Sequence, residues 1–394
     1  MVSAPRNNPV RFEGKPALAL TPPMGWNSWN CFRCYDIDET KLLEVADAMV
    51  DSGLLKAGFN TFVIDDCWQA LSRDDLGKLR SHPARFPSGM QWIGEQLKER
   101  GFKFGLYASP GRKTCAMIYD RYPGHDLGSF GREQLDADTF AAWGVDFLKY
   151  DWCEADEDGT GLRYPEAFER MALALENTGR EIVYSISEYG RTEPWTWAGE
   201  FGHMWRTTPD IEKNWASVLS IADHQAAISA FSGPGAWNDP DMLQVGNPGL
   251  SARESATHFA LWCFFAAPLM AGHDPRAMST ATQRLLTNAA LIAINQDALG
   301  VGAVRQQHAS GLDLWTRPLS AGRGWLLVNR SEDAIVLSCR RDALWVGEEV
   351  LAELGAGPVR IPVDGGEPAG LESGRDWILE PHGCFIVSAA DSPG

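Results

Sequence analysis

The first residues whose types and spacing could do chemistry are Lys149 and Asp151, in the stretch Phe147-Leu-Lys-Tyr-Asp-Trp-Cys153. Val145 to Tyr150 reads as a short buried strand that runs into a carboxylate. Side chains alternate along a strand, so Lys149 and Asp151 point one way and Tyr150 the other. A cation on the same face favours an ionised carboxylate, the state a nucleophile or an electrostatic stabiliser needs. Taken alone, one such Asp is better read as a cap on the following helix. The pattern recurs, however. Asp65 and Asp66, Glu188, Asp210, and Asp239 with Asp241 each follow an apolar strand-like run. Carboxylates gathered at equivalent strand ends would repel one another unless cations and ligand hydroxyls shared the site, so the expectation is an acid-lined pocket.

Three chemistries compete for such a pocket. A metal centre on this kind of scaffold usually draws on histidines, and the eight here are scattered, with none at ligand spacing near the acidic strand ends. His258 and His273 read as structural. A phosphate site needs a glycine-rich strand-to-helix turn, and only Gly300-Val-Gly302 approaches one. Nucleophilic Ser or Cys lacks a base. Two carboxylates in opposite roles remain the simplest chemistry, and that is the logic of glycoside hydrolysis.

The elements that must position these groups alternate along the chain. Strands are expected at 22–29, 60–67, 102–108, 145–150, 181–188, 203–210, 236–241 and 268–271. Helices follow them, among them one from Asp38 carrying Leu42, Val45, Ala46 and Met49, one over Arg163 to Asn177 and one over Thr280 to Ile294. Eight strand–helix units in about 300 residues predict a (β/α)8 barrel, whose active site lies at the C-terminal ends of its strands. After Gly300 the pattern changes to short strands parted by Gly, Pro and Asp, as in Leu312-Asp-Leu-Trp-Thr and Gly324-Trp-Leu-Leu-Val-Asn. The expected division is therefore a barrel over 1–300, with a polar arm over 1–20, and an antiparallel β-sandwich over 301–394.

Composition narrows the partners. The 394 residues carry 35 Lys and Arg against 52 Asp and Glu, a net charge of −17, which argues against nucleic acid and anionic membranes. The longest apolar run, Phe259 to Met270, is too short to span a bilayer. The opening Met1 to Pro9 lacks the apolar core of a leader, which predicts a cytoplasmic protein unless a leader has been removed.

The motifs Met24-Gly-Trp-Asn-Ser-Trp29, Asp65-Asp-Cys-Trp68, Lys149-Tyr-Asp-Trp-Cys153, Trp205-Arg-Thr-Thr-Pro-Asp210, Trp237-Asn-Asp-Pro-Asp-Met-Leu243 and Asn295-Gln-Asp297 occur in order. Together they resemble the family 27 glycoside hydrolases, the α-galactosidase or melibiase group, from about Thr21 to Gly300. The resemblance implies a retaining exo-glycosidase acting on galactosidic oligosaccharides, with no metal or organic cofactor. Asp151 would be its nucleophile and Asp210 its general acid/base. It assigns Asp65 and Asp66 to the sugar's 4- and 6-hydroxyls and Lys149 to its 3- and 4-hydroxyls. Trp29 and Tyr107 would form the walls, Glu188 paired with Arg206 would read the 2-position, and Trp237, Asp239 and Asp241 would brace the floor, with Asp241 reaching the pocket. Lys149 is expected to keep Asp151 ionised while Asp210 titrates higher.

The same resemblance matches Cys34 with Cys67, and Cys115 with Cys153, to positions that are disulfide-bonded in secreted relatives, the second pair lying beside the substrate. Buried thiols remain the alternative. The chain departs from the common family pattern at Ser187, Tyr189 and Trp152, and at Ser109-Pro110. Competing readings are a β-L-arabinopyranosidase, an α-N-acetylgalactosaminidase, which a bulky Glu188 disfavours, and a non-catalytic sugar-binding barrel.

Overall fold

The computed structural model describes residues 18–309, 311–338, 359–364, 366, 369–370 and 376–390. Most of the expected polar arm, and Cys339, lie outside the described residues. Eight parallel strands come first: β1 (Met24–Asn27), β2 (Thr61–Ile64), β3 (Lys103–Ala108), β4 (Phe147–Asp151), β5 (Val183–Ser187), β6 (Met204–Arg206), β7 (Trp237–Asp239) and β8 (Leu269–Ala271). They pair in the order β7-β6-β5-β4-β3-β2-β1-β8, and a parallel bridge between Leu243 and Ala271 joins the stretch after β7 to β8. The ring therefore closes as the (β/α)8 barrel expected from the alternation. Strand contact is close enough to dictate residue size: a Cβ on Gly25 would lie 2.0 Å from the carbonyl oxygen of Thr61.

The helices follow their apolar stripes. In Glu39–Asp51 the buried residues are Leu42, Val45, Ala46 and Met49, and the Asp38 side chain caps the helix by accepting from the Lys41 N–H at 2.9 Å. Two expectations are corrected. The helix expected from Arg163 begins at Glu166, after Pro165, because a proline disfavours helical geometry in the residue before it. The helix expected over Thr280 to Ile294 is two, Thr280–Leu286 and Ala289–Asn295. Asn288 breaks it, its Oδ1 accepting from the N–H groups of Ala290 and Leu291 while its Nδ2 donates to the Pro362 carbonyl at 2.9 Å.

The C-terminal strands are β9 (Val304–Ala309), β10 (Leu312–Leu319), β11 (Gly322–Asn329), β12 (Ile335–Ser338), β13 (Val359–Arg360), β14 (Ala369–Gly370), β15 (Asp376–Leu379) and β16 (Cys384–Ala390). One sheet has the order β14-β13-β16-β11-β10-β9, and β12 pairs with β15 in a second. Period-two alternation divides the larger sheet. Leu314, Trp325, Leu327, Phe385 and Val387 join Leu337 and Leu379 in the space between the sheets, whereas Trp315, Leu326, Val328 and Ile386 join the barrel's own core. This second face explains why the C-terminal strands carry more apolar surface than a sandwich alone would bury.

Candidate active site

The acidic strand ends converge on a cavity of about 560 Å³ at the C-terminal mouth of the barrel, a size suited to a small ligand. In β4, Lys149 lies in register with Ser185 of β5, and Asp151 with Ser187, so Lys149 and Asp151 share the inward face as expected. Lys149 Nζ stands 2.9 Å from Asp65 Oδ2 and 3.6 Å from Asp151 Oδ2. Burial alone would lower the lysine's pKa, but Asp65 and Asp151 outweigh it and keep the ammonium firmly charged.

Asp65 and Asp66 follow β2 and are both buried in the lining. Asp65 Oδ2 also accepts from Asn27 Nδ2 at 2.6 Å, and its Oδ1 from the Asp66 N–H at 2.9 Å. Asp66 accepts from the backbone N–H of Cys67 and of Ala116, at 2.7 and 2.8 Å. Desolvation nevertheless pushes its carboxyl up to about 7, since no cation pairs with it directly. Tyr107 stands over the site with its ring centroid 5.4 Å from Lys149 Nζ, and Trp29 forms another wall, with the Arg33 guanidinium 5.0 Å above its ring.

Across the mouth, Arg206 at the end of β6 divides its charge between Asp241 at 2.9 Å and Asp210 at 3.1 Å. Asp241 also accepts from the N–H of Ile211 and of Met242, at 2.8 and 2.6 Å, and burial lifts its pKa to about 6. Asp239 does not reach the cavity. It braces the floor, its Oδ1 accepting from the Asp241 N–H at 2.9 Å.

The expected titration order is reversed in the open pocket. Burial raises the Asp151 pKa by more than Lys149 and a hydrogen bond from Tyr189 lower it. Asp210, by contrast, has a side chain three-quarters exposed. Its partial burial is outweighed by Arg206 and Lys149, which hold it below the usual carboxylate range. Lys149 is 18 % exposed, sits closer to Asp65 than to Asp151, and cannot compensate both.

Glu188 also departs from its expected place. It is fully buried, lies outside the cavity, and makes no pair with Arg206. Its Oε2 accepts from the N–H and hydroxyl of Thr192, at 2.9 and 3.0 Å, and burial pushes its pKa up to about 7. The cause is strand parity: Ser185 and Ser187 share the inward face with Lys149 and Asp151, so Glu188 turns away. Tyr189 and Arg191 line the cavity from this loop instead. Tyr189 was visible in the sequence as a departure from the family pattern, but its role was not.

Disulfides join Cys34 to Cys67 and Cys115 to Cys153, with Cα atoms 5.2 and 4.7 Å apart. Cys115 lines the cavity, whereas Cys153 is buried behind it, 2.9 Å from the Tyr107 hydroxyl. Cys115, Cys153 and the Asp151 carboxylate cluster within 4.8 Å, but the bonded sulfurs present no thiolate to a cation. The remaining rim includes Arg33, Tyr119 and Asp120, at the C-terminal ends of the short helices Trp29–Phe32 and Cys115–Tyr119, which sequence reasoning passed over because no acidic strand end marks them.

A parallel barrel whose mouth carries several carboxylates around a lysine and an arginine has the construction of a glycoside hydrolase. The chain belongs to the melibiase family: the family model described as alpha galactosidase A matches residues 21–297. Alpha-galactosidase 2 of Arabidopsis thaliana is 43% identical over 324 residues, 82% of this chain and 79% of that protein. Alpha-galactosidase I from Mortierella vinacea superposes with a TM-score of 0.84 at 29% identity, covering 95% of this chain and 99% of that one. The alpha-galactosidase of Saccharomyces cerevisiae solved with raffinose superposes with a TM-score of 0.82 at 26% identity, over 96% of this chain and all of its own, 100%.

Proposed function

We propose that the chain is a retaining α-galactosidase that removes terminal α-D-galactosyl residues from oligosaccharides, with the barrel through Gly300 as its catalytic domain. The observation that carries this reading is the shared pocket of Asp151 and Asp210, one fixed on a strand beside Lys149 and the other on a loop beside Arg206. An Asp151 oxygen attacks the anomeric carbon while Asp210 gives its proton to the departing glycosidic oxygen. A galactosyl–Asp151 ester forms as the glycosidic C–O bond breaks. Water then attacks the same carbon, Asp210 takes the water's proton, and Asp151 leaves as a carboxylate.

The open pocket holds Asp210 ionised. A bound sugar strips water from its exposed face, and desolvation raises a carboxyl's pKa, so substrate itself loads the acid. Asp65, Asp66 and Lys149 offer acceptors and a donor to the sugar's hydroxyls, and Trp29 and Tyr107 offer aromatic faces to its C–H groups. The kinship with alpha-galactosidases, and with a relative solved with raffinose, supports a galactosidic oligosaccharide as substrate. No described helix is long and apolar enough to cross a membrane. Two bonded cysteine pairs suit an oxidising compartment better than the cytoplasm.

Aryl α-galactoside, β-L-arabinopyranoside and α-N-acetylgalactosaminide compared side by side test the substrate. The galactoside should turn over fastest, and NMR should detect α-galactose as the first product. Equal cleavage of the N-acetylgalactosaminide would overturn the sugar assignment, and β-galactose released first would overturn retention.

A further inference from the structure

The loop after β5 places a phenol on the carboxylate of Asp151. The Tyr189 hydroxyl donates to Asp151 Oδ1 while Lys149 faces Oδ2, so the two oxygens have different partners. The phenol is held from several sides. Cys115 Sγ lies 3.3 Å from the hydroxyl, and the guanidinium carbons of Arg191 and Arg206 lie 5.2 and 5.8 Å from the ring centroid. Burial and the neighbouring carboxylates hold the phenol protonated, so toward Asp151 it acts as a donor.

The backbone beneath is equally constrained. Tyr189 has φ 64°, a left-handed conformation that costs energy for a residue with a bulky side chain. Gly190 follows with φ 76°, and a Cβ there would lie 2.1 Å from the Thr207 carbonyl oxygen. The turn is thus pinned against the loop after β6, and Tyr189 projects into the cavity rather than out of it.

We propose that Tyr189 is a positioning residue for the reaction: its hydroxyl orients the Asp151 carboxylate for attack and stabilises its charge when the galactosyl ester breaks down. The proposal rests on the reading of Asp151 as nucleophile. The other groups that bear on Asp151 are Lys149 on the same strand, Tyr107 of β3, Asp65 after β2, Arg206 and Asp210 at and beyond β6, and Tyr119 on the rim. The Cys115–Cys153 disulfide beside it carries no charge. Tyr189 is the donor whose loss leaves every one of these charges in place.

Tyr189→Phe removes the hydroxyl and little else. The test uses 2,4-dinitrophenyl α-galactoside, whose leaving group departs without a proton, so the acid limb of kcat/KM follows ionisation of Asp151 and not protonation of Asp210. Loss of a hydrogen bond to the charged form raises the acid's pKa, so the limb should move to higher pH by roughly one unit. Slower breakdown of the ester should lower kcat by about tenfold, and KM should fall with it. An unmoved limb with unchanged kcat and KM overturns the proposal. Should the Phe variant not fold, as judged by its melting curve, Tyr189→Leu also lacks a side-chain donor and is read in the same way. Asp151→Asn separates the two levels of inference. If that variant still turns over, the nucleophile assignment fails; if it is dead and the Tyr189→Phe limb is unmoved, only the role of Tyr189 fails.

Discussion

The mouth of the barrel and the seam between barrel and C-terminal sheet both bury aspartates, and they treat them in opposite ways. At the seam, the Asp313 side chain is 1 % exposed and lies 2.9 Å from Arg330, 3.6 Å from Arg305 and 2.6 Å from His308 Nδ1. Both arginines also reach across to Asp223 on the helix Trp215–Ile228, Arg330 at 2.6 Å. At the mouth, Asp65, Asp66, Asp151, Asp239 and Asp241 are all buried, and Lys149 and Arg206 must serve them together with Asp210. Asp66, Asp151, Asp239 and Asp241 are accordingly raised by desolvation. A carboxylate saturated by its own protein is scaffold. A carboxylate short of cations and open to the cavity, as Asp66, Asp151 and Asp241 are and Asp239 is not, is left to a ligand, and sugar hydroxyls are donors.

The sharpest way to break this contrast is a matched pair of substitutions. Asp151→Asn should reduce kcat by roughly 10⁴-fold or more, because the nucleophile is gone. It should leave galactose binding measurable by calorimetry. Asp313→Asn should leave kcat of the folded protein unchanged and appear only as lower resistance to denaturant. If Asp313→Asn abolished turnover without unfolding, the seam would be part of the active machinery and the distinction would collapse.

A second, smaller effect concerns scaffolding inside the barrel itself. Arg73 makes a two-pronged contact with Asp136, at 2.6 and 2.8 Å, and also donates to the carbonyls of Gly77, Asp126 and Gly128. It thereby ties the loops after β2 and β3 to the helix Glu133–Ala142. Asp136 is fully buried. Asp136→Asn should lower stability by about 3–5 kcal/mol in urea unfolding, since it strands a buried guanidinium. A loss below about 1 kcal/mol would mean that the carbonyls alone satisfy Arg73.

Glu188 supplies the smallest effect and a pH signature. Its pKa rises from the ordinary 4.5 to about 7 in the folded state, chiefly through burial. The folded protein therefore holds a proton that the unfolded chain releases. The stability this contributes is complete below pH ~4.5 and is lost as pH rises through about 7. Glu188→Gln, which mimics the protonated form, should be neutral near pH 4 and stabilising by about 1–3 kcal/mol near pH 8. Its catalytic constants should stay close to wild type, because the side chain lies outside the cavity. A tenfold loss in kcat/KM on galactosides would restore Glu188 as the reader of the 2-position.

Much of this was legible along the chain, for local reasons. The strand–helix alternation, the Leu42, Val45, Ala46 and Met49 stripe and the common face of Lys149 and Asp151 follow from periods of 3.6 and 2, which neighbouring residues impose on one another. The ordered tryptophan- and aspartate-bearing motifs placed Asp65, Asp66, Arg206, Asp210 and Asp241 around one pocket before any contact was known. Parity failed at Glu188 because the end of β5 sets which side chain is last to face inward, and that register is fixed by β4, about 35 residues earlier.

What only the tertiary structure decided depends on partners distant in sequence. The grip of Tyr189 on Asp151 spans 38 residues, and that of Arg73 on Asp136 spans 63. The reversed titration of Asp151 and Asp210 depends on how far Lys149 leans toward Asp65, 84 residues away, and on how much water reaches each carboxyl. Residue types and spacing determine which groups can meet, because periodicity is local. Desolvation and charge sharing depend on three-dimensional distance, so the state in which those groups meet is settled only by the fold.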